Sequence, residues 1–197
     1  MQGKNTAYDT DIFEPLFSNL VLAGSTIDEK SKRIIADHTR TAVFLIADGV
    51  LPSNTGQGYV LRRLLRRAIY RSSGKSAGVS IIRALVKDIV TVYKDIYPEL
   101  SEKVDLIRST IEEEEIRFTK TLEQGLKEFE KGADAFTLAT TYGFPIELTV
   151  ELANEKGVKV DMSYYEEEMK KHQELSRTSS AGMFKGGLAN HNEQTIK

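Results

Sequence analysis

Five arginines lie within ten residues of one predicted helix, at Arg62, Arg63, Arg66, Arg67 and Arg71. Residues four apart on a helix are one turn apart, so the first four of these arginines form two stacked pairs on one broad face. Guanidinium groups bind phosphate oxygens with two parallel hydrogen bonds and keep their charge at any working pH. The residue types and their spacing therefore predict a surface that binds a polyanion.

The same arginine pattern is also typical of a solvated helix face that carries surface ion pairs. Residues 57–87 contain no Asp or Glu, so the neighbouring sequence offers no acidic partner. Unpaired like charges one turn apart repel one another by roughly a few tenths of a kcal/mol per pair. A bound phosphate backbone would replace that repulsion with attraction. Both interpretations stay open at this point, and the missing acids favour polyanion binding.

A polar loop, Ser53-Asn-Thr-Gly-Gln-Gly58, runs directly into the arginine helix. Backbone N–H groups at a helix N-terminus can bind phosphate, but this loop lacks the Gly-Lys-Ser/Thr ending of a P-loop and no strand pattern precedes it. Its glycines are better explained by a tight turn. The later segment Ser72-Ser-Gly-Lys-Ser76 lacks the upstream glycine of the same motif. A nucleotide-hydrolysing enzyme is therefore supported only by broken loop motifs.

The other potentially reactive side chains form no recognisable catalytic or metal-binding pattern. Three histidines, His38, His172 and His191, are too far apart in sequence to suggest a metal site, and His38 is best explained as structural. The run Glu112–Glu115 lies on a charged helix, where a solvated face is the favoured interpretation. No combination of Ser, His and acid stands out. The sequence thus predicts binding without a catalytic or metal centre.

Composition indicates a folded globular chain of 197 residues, with 40% hydrophobic and 28% charged residues and a net charge of −2. The charge is unevenly distributed. Residues 57–94 contain nine Lys or Arg and one acid, whereas residues 99–134 contain eleven acids and six bases. The absence of cysteine excludes disulfides and thiolate metal sites and fits a cytoplasmic protein. No apolar run is long enough to span a membrane.

Hydrophobic periodicity predicts a mainly α fold, a helical bundle with short irregular or β-hairpin segments near the C-terminus. Thr26 or Asp28 is the expected N-cap of the second helix, and Pro98 is expected to close the fourth. A loop or small hairpin is expected over 183–188. The predicted helices cover approximately residues 12–21, 28–49, 59–71, 81–97, 101–132, 146–156 and 164–178.

Four sequence blocks, in order, resemble those of the alanyl-tRNA synthetases. The longest is the run 34–68, which contains Ala-Asp-Gly-Val-Leu-Pro-Ser-Asn-Thr-Gly-Gln-Gly-Tyr-Val-Leu-Arg-Arg and is similar to the central signature of that family. The others are Tyr8-Asp-Thr-Asp-Ile-Phe13, Thr141-Tyr-Gly-Phe-Pro-Ile-Glu-Leu-Thr149 and Phe184-Lys-Gly-Gly-Leu-Ala189. Together they extend over nearly the whole chain, so the resemblance is specific.

This resemblance implies a tRNA-binding part of a longer alanine–tRNA ligase. Residues 1–25 would connect to a preceding class II catalytic core, 26–182 would be the helical tRNA-recognition domain, and 183–197 would lead to an editing domain. The resemblance places ATP, Mg²⁺ and an editing-domain zinc in the full-length enzyme and no cofactor in this chain, which is expected to be inactive alone. The implied partners are the tRNA(Ala) acceptor stem and the catalytic and editing domains of the same polypeptide.

The resemblance also implies which residues read the RNA. The family recognises a G·U wobble pair at the third position of the acceptor stem, with an asparagine matching Asn54 and an acid matching Glu147. The family pattern has Asp at the second position, and Glu keeps the acceptor while extending its reach by one methylene. Arg66 matches a family arginine in the same site. Arg62, Arg63, Arg67 and Arg71 are our own candidates for RNA-backbone contacts or for ion pairs at the edge of the core.

A non-catalytic helical protein-interaction domain is the alternative function. The long charged helix predicted over 101–132 would then supply the surface for a protein partner.

Overall fold

The computed structural model describes residues 3–22, 27–73 and 80–185. Within these ranges the chain forms one 3-10 helix and nine α-helices and has no strand. The predicted mainly α fold is therefore confirmed. The helices are Ala7–Asp9 (3-10), α1 Glu14–Leu22, α2 Glu29–Ala47, α3 Gly56–Ser72, α4 Ile81–Tyr93, α5 Glu99–Glu102, α6 Val104–Glu130, α7 Ala135–Thr141, α8 Ile146–Glu155 and α9 Met162–Lys185.

The chain divides into two compact units, Met1–Lys127 and Glu128–Lys197. The division falls inside the predicted recognition domain 26–182, near the end of α6, so the structure does not show that range as one compact body. The limits predicted after residues 25 and 182 stay predictions. At the C-terminus, α9 continues to Lys185, so the loop or hairpin predicted from Met183 is wrong for residues 183–185. The rest of that prediction lies outside the described residues.

The core of the first unit forms around α2, which packs against α3 and α4, while α1 packs against α4. These helices bury apolar residues at intervals of three and four, as on one face of each helix. In α3 the buried residues include Leu61, Leu65, Ala68 and Ile69. Burial of one such Leu or Ile side chain contributes about 1.5–3 kcal/mol. Burial of this apolar face leaves the arginines on the remaining faces of α3.

The position at which α2 begins and ends is fixed by hydrogen bonds. Asp28 is the N-cap and accepts a hydrogen bond from the Ser31 N–H at 2.9 Å, so one of the two predicted caps is confirmed. At the other end, the Val50 N–H donates to the Leu45 carbonyl in a Schellman motif, with Gly49 at φ +90°. The Lys103 ammonium donates to the carbonyl of Ala47 at 2.6 Å. These contacts set the direction in which the chain leaves α2.

The helices α4 and α7 are among those that differ from the sequence-based expectation. The helix α4 ends at Tyr93 and not near Tyr97. Phe44 makes edge-on contacts with the rings of Tyr93 and Tyr97, each at a centroid distance of 5.1 Å. The helix α7 was not predicted, because seven residues containing three threonines give no clear helical periodicity. Its N-cap, Asp134, accepts hydrogen bonds from the Thr137 N–H at 2.9 Å and the Thr137 hydroxyl at 2.8 Å.

We expect Asp134→Ala to destabilise the second unit by about 1 kcal/mol, because the cap of α7 would be lost. Partial burial favours the neutral carboxyl group, but the hydrogen bonds from Thr137 outweigh burial and lower the pKa of Asp134. A carboxyl group with a lowered pKa in the folded state stabilises the fold above its unfolded pKa. This contribution should therefore disappear as the pH falls below about 4.

Chemical denaturation near pH 7 and near pH 3 measures this effect. Asp134→Asn is the control, because an asparagine still caps the helix but has no carboxyl group to titrate. If Asp134→Ala were as stable as the unchanged chain near pH 7, the cap would have no role in stability.

Candidate nucleic-acid interface

The loop that carries Asn54 is folded against the first turn of α3. The Ser53 N–H donates to the Gly58 carbonyl at 3.1 Å, and the Ser53 hydroxyl donates to the Thr55 carbonyl at 2.8 Å. A Cβ atom on Gly58 would lie 2.3 Å from both the Leu51 carbonyl oxygen and the Ser53 Oγ. Gly56, at φ +57°, makes the turn itself. The loop therefore needs glycine at both positions, and the predicted tight turn is confirmed.

Asn54 is exposed, and its side-chain amide contacts Arg62. The Nη1 group of Arg62 donates to the Asn54 Oδ1 atom. The Nη2 group of the same guanidinium donates to the Pro52 carbonyl at 3.2 Å. Arg62 thus binds both a side chain and the backbone of the loop, and its own side chain is only 19% exposed.

A buried carboxylate, Glu114 of α6, lies beside Arg62 and Arg66. The residue is 1% exposed. Its Oε1 accepts a hydrogen bond from the Arg66 Nε at 2.7 Å, and its Oε2 lies 3.5 Å from the Arg62 Nε. The Arg66 guanidinium also lies 5.0 Å from the ring centre of Phe118. Two of the five arginines therefore form ion pairs at the edge of the core.

The burial of Glu114 and its pairing with α3 both differ from what the sequence predicted. Its neighbours Glu112 and Glu113 are about half-exposed or more, with side-chain exposures of 46% and 64%, as a solvated face requires. Glu114 is buried, so the solvated-face interpretation of Glu112–Glu115 is wrong for this residue. An acid that pairs with the arginine helix comes from α6, about fifty residues further along the chain. The residues next to the arginines in the sequence do not supply it.

The other three arginines form a separate stripe along α3. Arg63, Arg67 and Arg71 follow one another at intervals of four residues and so lie on one side of the helix. Arg63 is exposed, whereas Arg67 and Arg71 are half-buried. The Arg71 guanidinium lies 5.3 Å from the ring centre of Tyr70. Arg63 alone among the five arginines is exposed, so phosphate contacts fit this stripe better than they fit the two arginines beside Glu114.

Glu147 belongs to the second unit, in the first turn of α8. The turn before it is anchored by Phe144, which is fully buried and whose N–H donates to the Leu138 carbonyl at 2.9 Å. Gly143 has φ +64°, and Pro145 is the N-cap. A carboxylate in the first turn of a helix is favoured by the helix dipole. Because Asn54 lies in the first unit, their joint contact with one base pair stays a prediction.

The histidines contribute no metal site among the described residues. His38 is largely buried, and its Nδ1 lies 3.7 Å from a carboxylate oxygen of Asp37. His172 makes an edge-on contact with the Phe136 ring at 6.0 Å, and His191 lies outside the described residues. No group of His, Cys, Asp or Glu in the described ranges could hold a metal ion. The expectations for ATP, Mg²⁺ and zinc stay predictions.

No helix in the described part of the chain has the length and apolar character needed to cross a membrane.

Comparison with known proteins places the chain in a family. The family model for class II (A) tRNA synthetases matches residues 1–196. An alanine–tRNA ligase from Borrelia hermsii is 42% identical over the whole of this chain, which covers 36% of that protein, and one from Borreliella afzelii is 43% identical with the same coverage. One from Xanthomonas euvesicatoria is 41% identical over 96% of the chain, which covers 23% of it.

The chain thus spans between about a quarter and a third of the length of these curated relatives. Both the family match and the relatives agree with the motif blocks, so the resemblance to alanyl-tRNA synthetases is confirmed. The chain belongs to the class II (A) tRNA synthetases.

Proposed function

We propose that this chain is the part of an alanine–tRNA ligase that binds the acceptor stem of tRNA(Ala) and reads its G·U wobble pair. The observation that carries the proposal is the exposed Asn54 amide, which is held at the start of a basic helix by Arg62. An oriented polar group beside a positive surface fits RNA recognition, in which phosphate contacts position the RNA and base contacts specify it.

The chemistry of the minor groove suits an amide and a carboxylate. The minor groove of A-form RNA is wide and shallow, and guanine displays its N2 amino donor there. In a wobble pair this amino group lacks its Watson–Crick partner. Asn54 offers an amide oxygen with two acceptor positions, and Glu147 offers a carboxylate, so either can accept from the amino group. The stripe of Arg63, Arg67 and Arg71 would bind the phosphates.

Activity belongs to the longer protein in this proposal. We expect this chain alone not to activate alanine with ATP, because the family resemblance assigns that step to a catalytic core outside the chain. The catalytic and editing domains of the same polypeptide would be its protein partners. Charging of tRNA serves protein synthesis, so the cytoplasm is the proposed compartment.

Replacement of Asn54 or Glu147 by Ala is expected to reduce discrimination between acceptor-stem hairpins by about 1–3 kcal/mol. The two hairpins differ only in having G·U or G·C at the third base pair, and their affinities for the 197-residue chain are measured by titration. Gln57→Ala is the control for Asn54, since it removes an exposed amide at the start of α3. Glu155→Ala is the control for Glu147, since it removes an exposed carboxylate from the same helix.

Equal affinity of the unchanged chain for both hairpins would contradict base reading. If the affinity for both hairpins still falls as the salt concentration rises, the phosphate-binding part of the proposal stands. Absence of any RNA binding would reject both parts.

A protein-interaction domain remains the second candidate, because α6 exposes large apolar side chains. Leu106 is 46% exposed and Ile116 is 57% exposed. A salt-insensitive complex with a protein, together with no binding of the hairpins, would favour this function.

A further inference from the structure

We infer that Arg62 is a positioning residue for base recognition, held in place by the buried Glu114, and that it does not bind RNA phosphate. The inference rests on the proposed function of Asn54 as the group that reads the base pair. It assigns a specificity role to a carboxylate in α6 and to an arginine that charge alone would place among the phosphate contacts.

Each of the three nitrogen atoms of the Arg62 guanidinium lies within 3.5 Å of a protein oxygen, although only Nη1 and Nη2 donate hydrogen bonds. The Nε group lies 3.5 Å from the Glu114 carboxylate, Nη1 donates to the Asn54 Oδ1, and Nη2 donates to the Pro52 carbonyl at 3.2 Å. A planar guanidinium with a fixed fork of donors can hold such partners in one geometry, which a lysine ammonium cannot. Arg62 is thereby directed towards the loop and α6.

Glu114 fixes this arrangement from the protein side. Its side chain is 2% exposed and also accepts a hydrogen bond from Arg66 at 2.7 Å, so its position is set by packing and by a second arginine. The carboxylate therefore gives Arg62 a rigid support. Through Arg62, that support reaches an exposed amide that would otherwise rotate freely in water.

The hydrogen bond from Arg62 determines what Asn54 presents to RNA. One of the two acceptor positions on the amide oxygen is occupied by Arg62, and the other stays available to the guanine amino group. The bond also distinguishes the two ends of the amide, because only the oxygen can accept it. Loss of Arg62 should leave Asn54 on the surface but without a preferred orientation.

NMR spectroscopy of the isotope-labelled chain, recorded without RNA, gives the first test. In Arg62→Ala, the side-chain amide signals of Asn54 are expected to move to the values of an exposed asparagine side chain that has no fixed rotamer. In Arg63→Ala, these signals are expected to stay unchanged. Unchanged Asn54 signals in a folded Arg62→Ala variant would overturn the inference. If Arg62→Ala fails to fold, Arg62→Lys replaces it, since a single ammonium cannot reproduce the fork and should also move the signals.

A double-mutant cycle with the two hairpins gives the second test. Arg62→Ala is expected to reduce the preference for G·U about tenfold, the size of one good base contact. In the Asn54→Ala background it should change the preference no further, because the two residues act through one contact. Arg63→Ala should instead weaken both hairpins equally and reduce the salt dependence measured between about 50 and 200 mM.

The outcomes separate this inference from the proposed function. Equal weakening of both hairpins by Arg62→Ala, with reduced salt dependence, would show a phosphate contact and overturn the positioning role. If Asn54→Ala leaves the preference unchanged, base reading by Asn54 fails and the specificity role of Arg62 fails with it. The amide signals would still report whether Arg62 orients Asn54 in the free chain.

Discussion

Replacement of Glu114 by Ala is expected to lower the free energy of unfolding by about 3 kcal/mol. The Glu114 side chain is 2% exposed and pairs with Arg66, with Arg62 close by. Removal of the acid takes a negative charge away from beside two guanidinium groups in a largely desolvated site. Both arginine side chains keep nearly a fifth of their surface in contact with solvent, which places the effect at the lower end of the range for buried ion pairs.

Glu113→Ala is the matched control for Glu114→Ala. Glu113 is the adjacent residue on α6, but its side chain is 64% exposed and pairs with Arg117 across one turn. Its removal should change stability by no more than about 0.5 kcal/mol. Chemical denaturation of the two variants compares the sites directly. A loss below about 1 kcal/mol for Glu114→Ala would show that the arginines regain water without opening the core.

A double replacement tests whether charge compensation is the cause. The variant with Glu114→Leu and Arg66→Met keeps similar volumes and removes one acid and one base. Apolar replacement of a buried ion pair is often neutral in stability, so this variant should recover much of the loss. Stability as low as that of Glu114→Ala would show instead that shape at this position matters more than charge.

Gly58→Ala is expected to destabilise the chain by about 3 kcal/mol and to displace the loop that carries Asn54. In an ordinary helix, Gly→Ala stabilises by up to about 1 kcal/mol. Here the added Cβ would lie 2.3 Å from the Leu51 carbonyl oxygen and from the Ser53 Oγ. Backbone cannot rotate away as a flexible side chain can, so we expect the steric cost to exceed the gain in helix propensity.

Hydrogen exchange locates the effect of Gly58→Ala. The Ser53 N–H, which donates to the Gly58 carbonyl, should lose its protection, while amides in the middle of α2 keep theirs. The preference for the G·U hairpin should fall together with that protection. Gln57→Ala, one residue earlier on α3 and exposed, should leave both unchanged. Retained protection at Ser53 would contradict the proposed steric conflict.

The sequence predicted the helical fold because its apolar residues recur at helical spacing. The same spacing could have identified Glu114. In α6 the buried residues Ile107, Ile111, Phe118 and Leu122 leave a position three residues after Ile111 and four before Phe118, and Glu114 occupies it. A run of four glutamates suggested a solvated face and concealed this signal. A charged residue on an otherwise apolar stripe therefore predicts an oppositely charged partner from a distant part of the chain.

Other parts of the site depend on tertiary structure and could not be read from spacing. The contact of Arg62 with Asn54 requires the loop to fold back over eight residues, and that path depends on the absence of a side chain at Gly58. The family resemblance identified Asn54 and Glu147 as candidate site residues, but it gave no indication of the contact between Arg62 and Asn54. Whether they meet at one base pair depends on the two compact units together with the RNA.

The loop that carries Asn54 is more constrained in its length than in its composition. It leaves α2 at Gly49, whose positive φ completes the Schellman motif, and it returns at Gly58, where the backbone approaches too closely for any Cβ. Surface loops ordinarily accept insertions and deletions during evolution. In this loop, one added residue would shift Asn54 relative to Arg62 while both ends stayed fixed. Related proteins that keep this contact should therefore vary in loop composition and not in the number of residues between the two glycines.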